Sequence, residues 1–379
     1  MMLIGIDGNE ANVRNRVGAN VYAYNILRYL HKKAAEKKLR FQIYLKGKLL
    51  SDLPEENANW QYRIFGPGRL WTQWRLPLKL YLEKEKPSLF FTPSHYAPRF
   101  CPVPTVISIM DLAFLKYPKD FKRSDLNQLM AWTKYSVKKA SHIFAISEAT
   151  KKDIIKYYRV DEDKVTVTYP GINNQRFKIY DSRFKNKILK KYGIKGEYFI
   201  FIGTLQPRKN LVRLIKAFAK IANIDPKLSL VVVGKKGWLY KDIFQTVSQL
   251  KLIKKVIFTG FVPDEELSTL LKGAEAYILP SLYEGFGIPV VEAMELGIPI
   301  VVSRISSLPE LAGEAAVYIE EPTSTKSISQ ALLKVIKLTD KQRKELITKG
   351  KIQTKKFSWD KCGEKTLEIL RKIGAGKDV

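Results

Sequence analysis

Short apolar runs recur along the whole chain, and segments of helical spacing lie between most of them. The runs in the first half are Leu3–Ile6, Phe41–Leu45, Tyr62–Phe65, Leu89–Phe91, Thr105–Ile109, Ile143–Ile146 and Val165–Val167, and those in the second half are Tyr198–Ile202, Leu230–Val233, Val256–Thr259, Ala276–Leu279, Pro299–Val302 and Ala316–Ile319. Apolar runs of this length, bounded by turn residues, predict buried strands. Their alternation with helices predicts parallel sheets, so we expect an α/β fold of two Rossmann-like domains that face one another across a cleft.

The length of 379 residues is enough for two domains, each with its own core. A polar, basic stretch follows Tyr169–Asn173 and marks the predicted boundary. We therefore place one domain at 1–178, the second at 179–356 and a terminal helical segment at 357–379.

Composition favours an ordinary globular protein, with 45% hydrophobic and 27% charged residues. No apolar stretch approaches the length of a membrane span, and Met1–Asp7 resembles a strand rather than a signal peptide. Cys101 and Cys362 have no metal or redox spacing, and the three histidines form no cluster, so we expect free thiols, no metal site and a cytoplasmic protein.

The formal net charge is +29, spread over both halves of the chain. Such a field favours anionic partners, which include nucleotide sugars, phospholipid surfaces and nucleic acid. A lysine-rich solvated surface without any function explains the total charge equally well. Nucleic-acid binding is the poorest of these hypotheses, because the aromatic residues are not interleaved with a concentrated basic stripe.

The most informative segment runs from the apolar strand Ala276–Leu279 to Met294. Pro289 predicts the first turn of a helix and Gly297 its end. Between strand and helix, Gly285, Phe286 and Gly287 form a loop in which backbone amides and the helix start favour a phosphate. Glu284 and Glu292 flank this loop, and a helical side chain leans toward the N-terminus, so Glu292 is expected to meet a ribose.

This segment resembles the E-x7-E block of the retaining family 4 glycosyltransferases, which have the GT-B fold. The resemblance implies that Glu284 contacts the donor sugar and that Glu292 binds the nucleotide ribose. It also implies that the terminal helix, which begins near Phe357-Ser358-Trp359, packs back on the first domain. The sequences of Gly203–Asn210 and Pro280–Met294 are most similar to those of mannosyltransferases of surface-polysaccharide assembly.

Gly203 to Asn210 resembles the G-x-x-x-x-R-K-N element of the same family. Arg208 and Lys209 at a strand-to-helix turn suit a diphosphate, and they would stabilise the charge that develops on the leaving nucleotide. By itself the pattern is equally typical of a helix start with exposed charges. Gly234 and Gly260 each follow a further predicted strand. The resemblance implies that the loops at these positions lie beside the nucleotide, as the matching loops do in relatives.

Three positions of the first half match the family less closely. Gly18 stands in a loop that usually holds two glycines, and a helix start capped by Asn20 is the alternative there. Ser147 matches a serine at the cleft edge, although a simple helix cap is the favoured interpretation. Asp111 follows Met110, where relatives carry a histidine that reaches the donor sugar, and a thioether cannot donate a hydrogen bond.

Aromatic and basic residues are mixed over Leu70–Tyr81. The helical spacing favours a helix that faces the core, and contact with a lipid-linked acceptor or a membrane is the alternative.

The combined hypothesis is a retaining hexosyltransferase that needs no metal and no cofactor. Its donor would be a nucleotide sugar, GDP-mannose first and a UDP-hexose second, and its acceptor a hydroxyl of a glycan or glycolipid. Peripheral attachment to the anionic inner face of the plasma membrane stays open. The alternative is a sugar-nucleotide-binding protein with little or no transferase activity, which Met110 motivates.

Overall fold

The computed structural model describes residues 1–66, 68–172 and 184–377, which divide into two compact units. Unit 1 comprises Met1–Leu115, Arg123–Gly171 and Ser358–Val379, and unit 2 comprises Lys116–Lys122 and Ile172–Phe357, in each case as far as these ranges are described. The predicted boundary between residues 178 and 179 lies outside the described residues. The short segment Lys116–Lys122 belongs to unit 2 although unit 1 residues flank it in the sequence.

All thirteen predicted strands are present, with ends that shift by at most two residues. They are β1 (Met2–Asp7), β2 (Leu39–Leu45), β3 (Trp60–Ile64), β4 (Leu89–Thr92), β5 (Thr105–Ile109), β6 (His142–Ala145), β7 (Val165–Val167), β8 (Tyr198–Ile202), β9 (Ser229–Val233), β10 (Val256–Gly260), β11 (Ala276–Leu279), β12 (Ile300–Ser303) and β13 (Ala316–Ile319).

The strands form one parallel sheet in each unit. The order is β3-β2-β1-β4-β5-β6-β7 in unit 1 and β10-β9-β8-β11-β12-β13 in unit 2. In both sheets the chain moves outward in one direction and then returns to start again on the other side. The reversal falls between β1 and β4 in unit 1 and between β8 and β11 in unit 2, and such a switch point leaves a crevice at the carboxyl ends of the strands.

Helices connect most of the strands. They are α1 (Ala19–Ala34), α2 (Leu76–Leu82), α3 (Ala113–Lys116), α4 (Arg123–Lys139), α5 (Glu148–Tyr158), α6 (Lys185–Lys191), α7 (Leu211–Ile224), α8 (Lys241–Gln249), α9 (Asp264–Lys272), α10 (Ile288–Glu295), α11 (Leu308–Ala312), α12 (Thr325–Ile336), α13 (Asp340–Thr354) and α14 (Trp359–Gly374). Over the described part of the chain, none of them combines the length and the apolar character that a membrane crossing requires.

The helix predicted over Leu70–Tyr81 is only partly a core helix. A π-helical turn, Trp71–Arg75, leads directly into α2. Trp71, Leu76 and Leu80 are buried as expected, but Trp74 is 67% exposed. The prediction that this segment simply faces the core is therefore wrong for its other side, because apolar residues occupy both faces of the helix and only one face can meet the sheet.

The last helix, α14, packs against α1 within unit 1. The rings of Tyr22 on α1 and Trp359 on α14 have centroids 6.3 Å apart. Gly363 allows the two helices to approach closely, because a Cβ atom there would lie 2.2 Å from Cγ of Tyr29.

This contact generates a test of stability. At an ordinary helix position an alanine stabilises the helix by about 1 kcal/mol relative to glycine. We expect Gly363→Ala to do the opposite and to lower the free energy of unfolding by about 1–3 kcal/mol, as overpacking does. Urea unfolding followed by circular dichroism measures the change. Gly47→Ala is the control, since a Cβ atom there meets nothing within 4 Å, and equal effects of the two substitutions would contradict the packing.

Candidate active site

Two loops of unit 2 meet at the switch point of its sheet. One follows β8 and runs from Gly203 to Asn210, and the other follows β11 and runs from Pro280 to Gly287. Because β8 and β11 are neighbours in a parallel sheet, both loops leave from the same edge. The backbone amide of Leu282 donates to the carbonyl of Arg208 at 2.9 Å, which joins the loops directly.

The predicted cations and the first predicted glutamate come together between these loops. Lys209 Nζ donates to Glu284 Oε1 at 2.6 Å, and an Arg208 terminal nitrogen lies 3.5 Å from Glu284 Oε2. Arg208 also donates to the carbonyl of Tyr283 at 2.6 Å. All three charged side chains are largely buried, with 7% of Glu284, 11% of Arg208 and 14% of Lys209 exposed. These three side chains by themselves carry a formal charge of 2 − 1 = +1 in a poorly solvated place.

Burial is the largest single effect on Glu284 and by itself would raise the pKa of its carboxyl. The charges of Lys209 and Arg208, together with hydrogen bonds from Lys209 and Ser281, outweigh burial, so the pKa is lowered. The Ser281 hydroxyl donates to Glu284 Oε1 at 2.5 Å. Glu284 therefore stays ionised and holds both cations in position.

Neutral side chains fix the backbone on either side of this cluster. The amide group of Asn210 donates to the carbonyls of Pro280 and Pro322 at 2.9 and 2.7 Å. The hydroxyls of Ser306 and Ser307 donate to the carbonyl of Glu284, and Ser306 also accepts from the Glu284 amide. Such contacts restrict the charged side chains to one arrangement, which is what recognition of a rigid group needs.

Glu292 lies on α10, which begins after Gly287 with Pro289 in its first turn and ends before Gly297, as predicted. Gly287 and Gly297 both have positive φ, which explains why glycine stands at both ends. Glu292 is only 3% exposed. The pKa of the buried Tyr277 hydroxyl is raised mainly by burial and further by the negative charges of Glu284 and Glu292. The two predicted glutamates thus share one environment.

The other predicted residues of unit 2 fall into two groups. Gly203 and Gly234 make a close backbone contact, because a Cβ on Gly234 would lie 2.0 Å from the carbonyl oxygen of Gly203. Gly260 faces open space at the end of β10. Phe286, in contrast, directs its ring into the core against Phe357, with centroids 5.4 Å apart, and Gly285 beside it is buried as well.

In unit 1 the predicted positions lie at the carboxyl edge of the sheet but have local partners. Gly18, not Asn20, is the N-cap of α1, so the capping alternative for Asn20 is wrong. The side-chain amide of Asn20 donates instead to the carboxylate of Glu10. The buried hydroxyl of Ser147 accepts from the Thr150 amide, as a helix cap does. Asp111 accepts from the amide of Ala113 at 2.9 Å. The binding roles of Gly18, Ser147 and Asp111 stay predictions.

Sequence reasoning missed several polar groups at the switch point of unit 1. Asp7 ends β1 and is buried, and burial raises its pKa and that of nearby Glu10. His95, after β4, accepts a hydrogen bond at Nε2 from the amide of Met110, and burial lowers its pKa, so the ring is neutral. The available signal was position alone, since Asp7 directly follows a predicted strand and Glu10 and His95 each lie four residues beyond the end of one. Among the described residues no three His, Cys, Asp or Glu side chains are grouped in a way that could hold a metal ion.

The segment Lys116–Lys122 supplies further contacts to the unit 2 site. Lys116 Nζ lies 4.8 Å from the centre of the Tyr283 ring. The indole nitrogen of Trp238 donates to the carbonyl of Asp120 at 2.5 Å. Burial raises the pKa of Asp120, and the charges of Arg208 and Arg213 oppose that change. The sequence pattern gave no indication of these contacts.

Two family models match the chain, Glycosyltransferase Family 4 over residues 17–176 and Glycosyl transferases group 1 over residues 184–353. O-antigen chain mannosyltransferase B of Escherichia coli is 28% identical over 82% of this chain and 79% of its own length. O-antigen chain mannosyltransferase RfbU of Salmonella typhimurium is 32% identical over 62% of this chain and 61% of its own length. The solved structure of Anabaena Alr3699/HepE in complex with UDP and glucose superposes with a TM-score of 0.75 at 19% identity, over 98% and 99% of the two chains.

The two parallel sheets and the likeness to this solved structure show the GT-B fold. Within that class the chain belongs to glycosyltransferase family 4, as the matches to both of its halves show.

The ionised state of Glu284 generates a pH test. Its pKa in the folded protein lies below the ordinary value of 4.5, so its ionisation stabilises the fold at neutral pH, and this contribution is lost as the pH falls through the folded pKa. We expect Glu284→Gln to destabilise by about 1–3 kcal/mol near pH 7 and by less near pH 4. Urea unfolding of the parent and the variant at several pH values measures this difference. Glu321→Gln controls for loss of a surface carboxylate, and a difference that grows in acid would contradict the assignment.

Proposed function

We propose that this glycosyltransferase moves a hexose from a nucleotide diphosphate sugar to a hydroxyl group of a glycan or glycolipid, with retention of the anomeric configuration. The observation that carries this proposal is the buried cluster of Arg208, Lys209 and Glu284 at the switch point of unit 2. Its net positive charge suits a diphosphate, and its carboxylate suits the hydroxyls of the attached sugar.

The cations act on the leaving group. When the bond between the anomeric carbon and the diphosphate oxygen breaks, the nucleotide keeps the electron pair and gains negative charge. Arg208 and Lys209 stabilise that charge in a poorly solvated site, where such an interaction is strongest. Because these side chains provide the positive charge, we propose that transfer requires no divalent cation.

The acceptor oxygen forms the new bond on the face from which the nucleotide leaves. Its proton passes to the departing phosphate oxygen, so atoms and charge balance without a protein nucleophile. Glu284 is tied to Lys209, Arg208 and Ser281 and is therefore assigned to holding the cations and the donor sugar, not to a covalent intermediate.

The identity of the donor rests on relatives. Both O-antigen relatives are named mannosyltransferases, which favours GDP-mannose. HepE was solved with UDP and glucose, which makes a UDP-hexose the second choice. Glu292, buried near Glu284 on the first turns of α10, is assigned to the ribose that both nucleotides share.

The acceptor of such an enzyme is proposed to lie at an anionic membrane surface. The net charge of +29 attracts the protein to such a surface. The association is peripheral and places the enzyme at the cytoplasmic face.

Donor hydrolysis without acceptor tests the reaction first. We expect release of GDP from GDP-mannose, or UDP from UDP-glucose, to continue in excess EDTA and the released sugar to keep its anomeric configuration by NMR.

Arg208→Ala and Lys209→Ala should each weaken binding of the free nucleotide diphosphate by about 1–3 kcal/mol in calorimetry, the cost of a lost charge-assisted contact. Arg304→Ala, a surface cation paired with Glu320, is the control. Nucleotide binding that is unchanged in both site variants would refute the phosphate assignment, and binding without any turnover would favour a sugar-nucleotide-binding protein.

Glutamine substitutions separate the roles of the two glutamates. Glu292→Gln should weaken free nucleotide and nucleotide sugar by the same factor, because the ribose is common to both. Glu284→Gln should weaken the nucleotide sugar about tenfold more than the free nucleotide, a difference of about 1.4 kcal/mol, because its contact with the donor sugar is lost in addition to its hold on the cations. Calorimetric titration of both ligands into both variants gives the comparison, and the reverse pattern would exchange the two assignments.

A further inference from the structure

The segment from Trp71 to Leu82 in unit 1 has one face fixed in the core. Trp71, Leu76 and Leu80 are buried in one cluster with Tyr44 and Phe90. The Trp71 ring stacks on Phe65 at 4.5 Å, and its indole nitrogen donates to Asp7 Oδ2 at 3.1 Å. The segment is therefore a rigid part of unit 1.

Its opposite face is apolar as well and is open to solvent. Trp74 is 67% exposed, Leu78 60%, Tyr81 52% and Leu82 70%. Leu78 and Leu82 are four residues apart on α2, so their side chains lie on the same face. We call these four residues the apolar stripe. An exposed apolar face of this kind normally marks an interaction surface.

Basic residues are frequent in the sequence around the stripe. Between positions 63 and 86 the chain carries six basic residues and two acidic ones, which gives a net charge of 6 − 2 = +4. Both acidic residues already have basic partners, since Glu83 lies 3.3 Å from Lys79 and Glu85 pairs with Arg40. The basic residues are Arg63, Arg69, Arg75, Lys79, Lys84 and Lys86.

A cavity of about 460 Å³ adjoins the stripe. Its lining includes Leu82 of the stripe, the basic residues Arg40, Arg63, Lys79 and Lys84, and the acidic residues Glu83 and Glu85. Because Glu83 pairs with Lys79 and Glu85 with Arg40, the lining has an apolar edge beside a mixed but predominantly basic set of side chains.

We propose that the apolar stripe inserts into the boundary between headgroups and acyl chains of an anionic lipid bilayer, with the surrounding basic residues on the phosphates. Interfacial binding has two components. Apolar residues enter the boundary of the acyl chains, and a cationic rim contacts the anionic headgroups. The inference rests on the proposed function only for the membrane as its setting. It goes beyond that function in assigning the contact to these side chains and to insertion, which salt does not screen.

Charge complementarity distinguishes a bilayer from a second copy of this chain. A symmetric dimer would place the same patch on both sides of the interface. The net charge of +4 would then face itself, and like charges across an interface are repulsive. An anionic surface meets no such opposition.

Vesicle binding tests the proposal on the full chain. We expect the parent to co-sediment with vesicles of phosphatidylcholine and phosphatidylglycerol in low salt and to retain a substantial bound fraction in about 1 M salt, where the Debye length is about 3 Å. The triple variant Trp74→Ser, Leu78→Gln, Leu82→Gln should lose binding at least tenfold. Ile253→Ser with Ile352→Gln is the matched control, because both residues are exposed apolar side chains of unit 2. Brominated lipids should quench the parent's tryptophan fluorescence and quench Trp74→Phe less, which reports insertion even if the triple variant is unstable.

Three results would overturn the proposal. They are equal vesicle binding by the parent and a folded triple variant, no binding by the parent to anionic vesicles, and a parent dimer in sedimentation velocity that the triple variant dissociates. Hydrolysis of the nucleotide sugar without vesicles should be the same in parent and triple variant. A parent that hydrolyses the donor but binds no vesicle therefore refutes this inference and the proposed membrane setting but leaves the proposed reaction intact, whereas vesicle binding without hydrolysis refutes the proposed reaction alone.

Discussion

The second unit depends on how it accommodates three charges in a largely buried place. A buried charge is tolerated only when it is paired and hydrogen-bonded, and removal of one partner leaves the others uncompensated. Glu284 meets this requirement through Lys209, Arg208 and Ser281. The surrounding polar contacts fix the backbone at these charges: Asn210 joins the two charged loops, and Ser306 and Ser307, which follow β12, hold the loop that carries Glu284.

Sheet topology explains why these residues meet although they are 75 positions apart in the chain. β8 and β11 are neighbours only because the chain reverses its direction of strand addition between β10 and β11. The loops therefore leave the sheet side by side, while the loops after β9 and β12 flank them. Gly234 completes this arrangement, since its missing side chain lets the loop after β9 touch the backbone of Gly203. Topology and backbone contact place the site, and the charged side chains give it chemistry.

The sequence was sufficient for the strands, the fold and the location of α10, because their signals are local. Runs such as Ala276–Leu279 are bounded by turn residues, and Pro289 and Gly297 have conformational requirements that hold in any context. The sequence was insufficient where the same pattern of residues is compatible with two different environments. Apolar residues on both faces of Trp71–Leu82 do not reveal which face the sheet covers, and Asn20 was equally able to cap a helix or to bind Glu10. The attachment of Lys116–Lys122 to unit 2 depends on tertiary contacts that no spacing encodes.

The position of Trp71 connects the apolar stripe with the carboxyl edge of the sheet in unit 1. Asp7 ends β1 at the switch point, and the indole of Trp71 donates to its carboxylate, so the helix that carries the stripe is fixed to that edge by a buried hydrogen bond. A stripe seated at the lipid boundary would hold the carboxyl ends of β1 and β4 at a constant distance from the membrane. An acceptor hydroxyl carried on a lipid then reaches the enzyme at a defined depth, which replaces part of the orientation that a soluble acceptor would have to obtain from binding contacts alone. Rigid attachment of the helix matters for this effect, because a flexible anchor would restrict only the location of the enzyme and not the height of this sheet edge above the membrane.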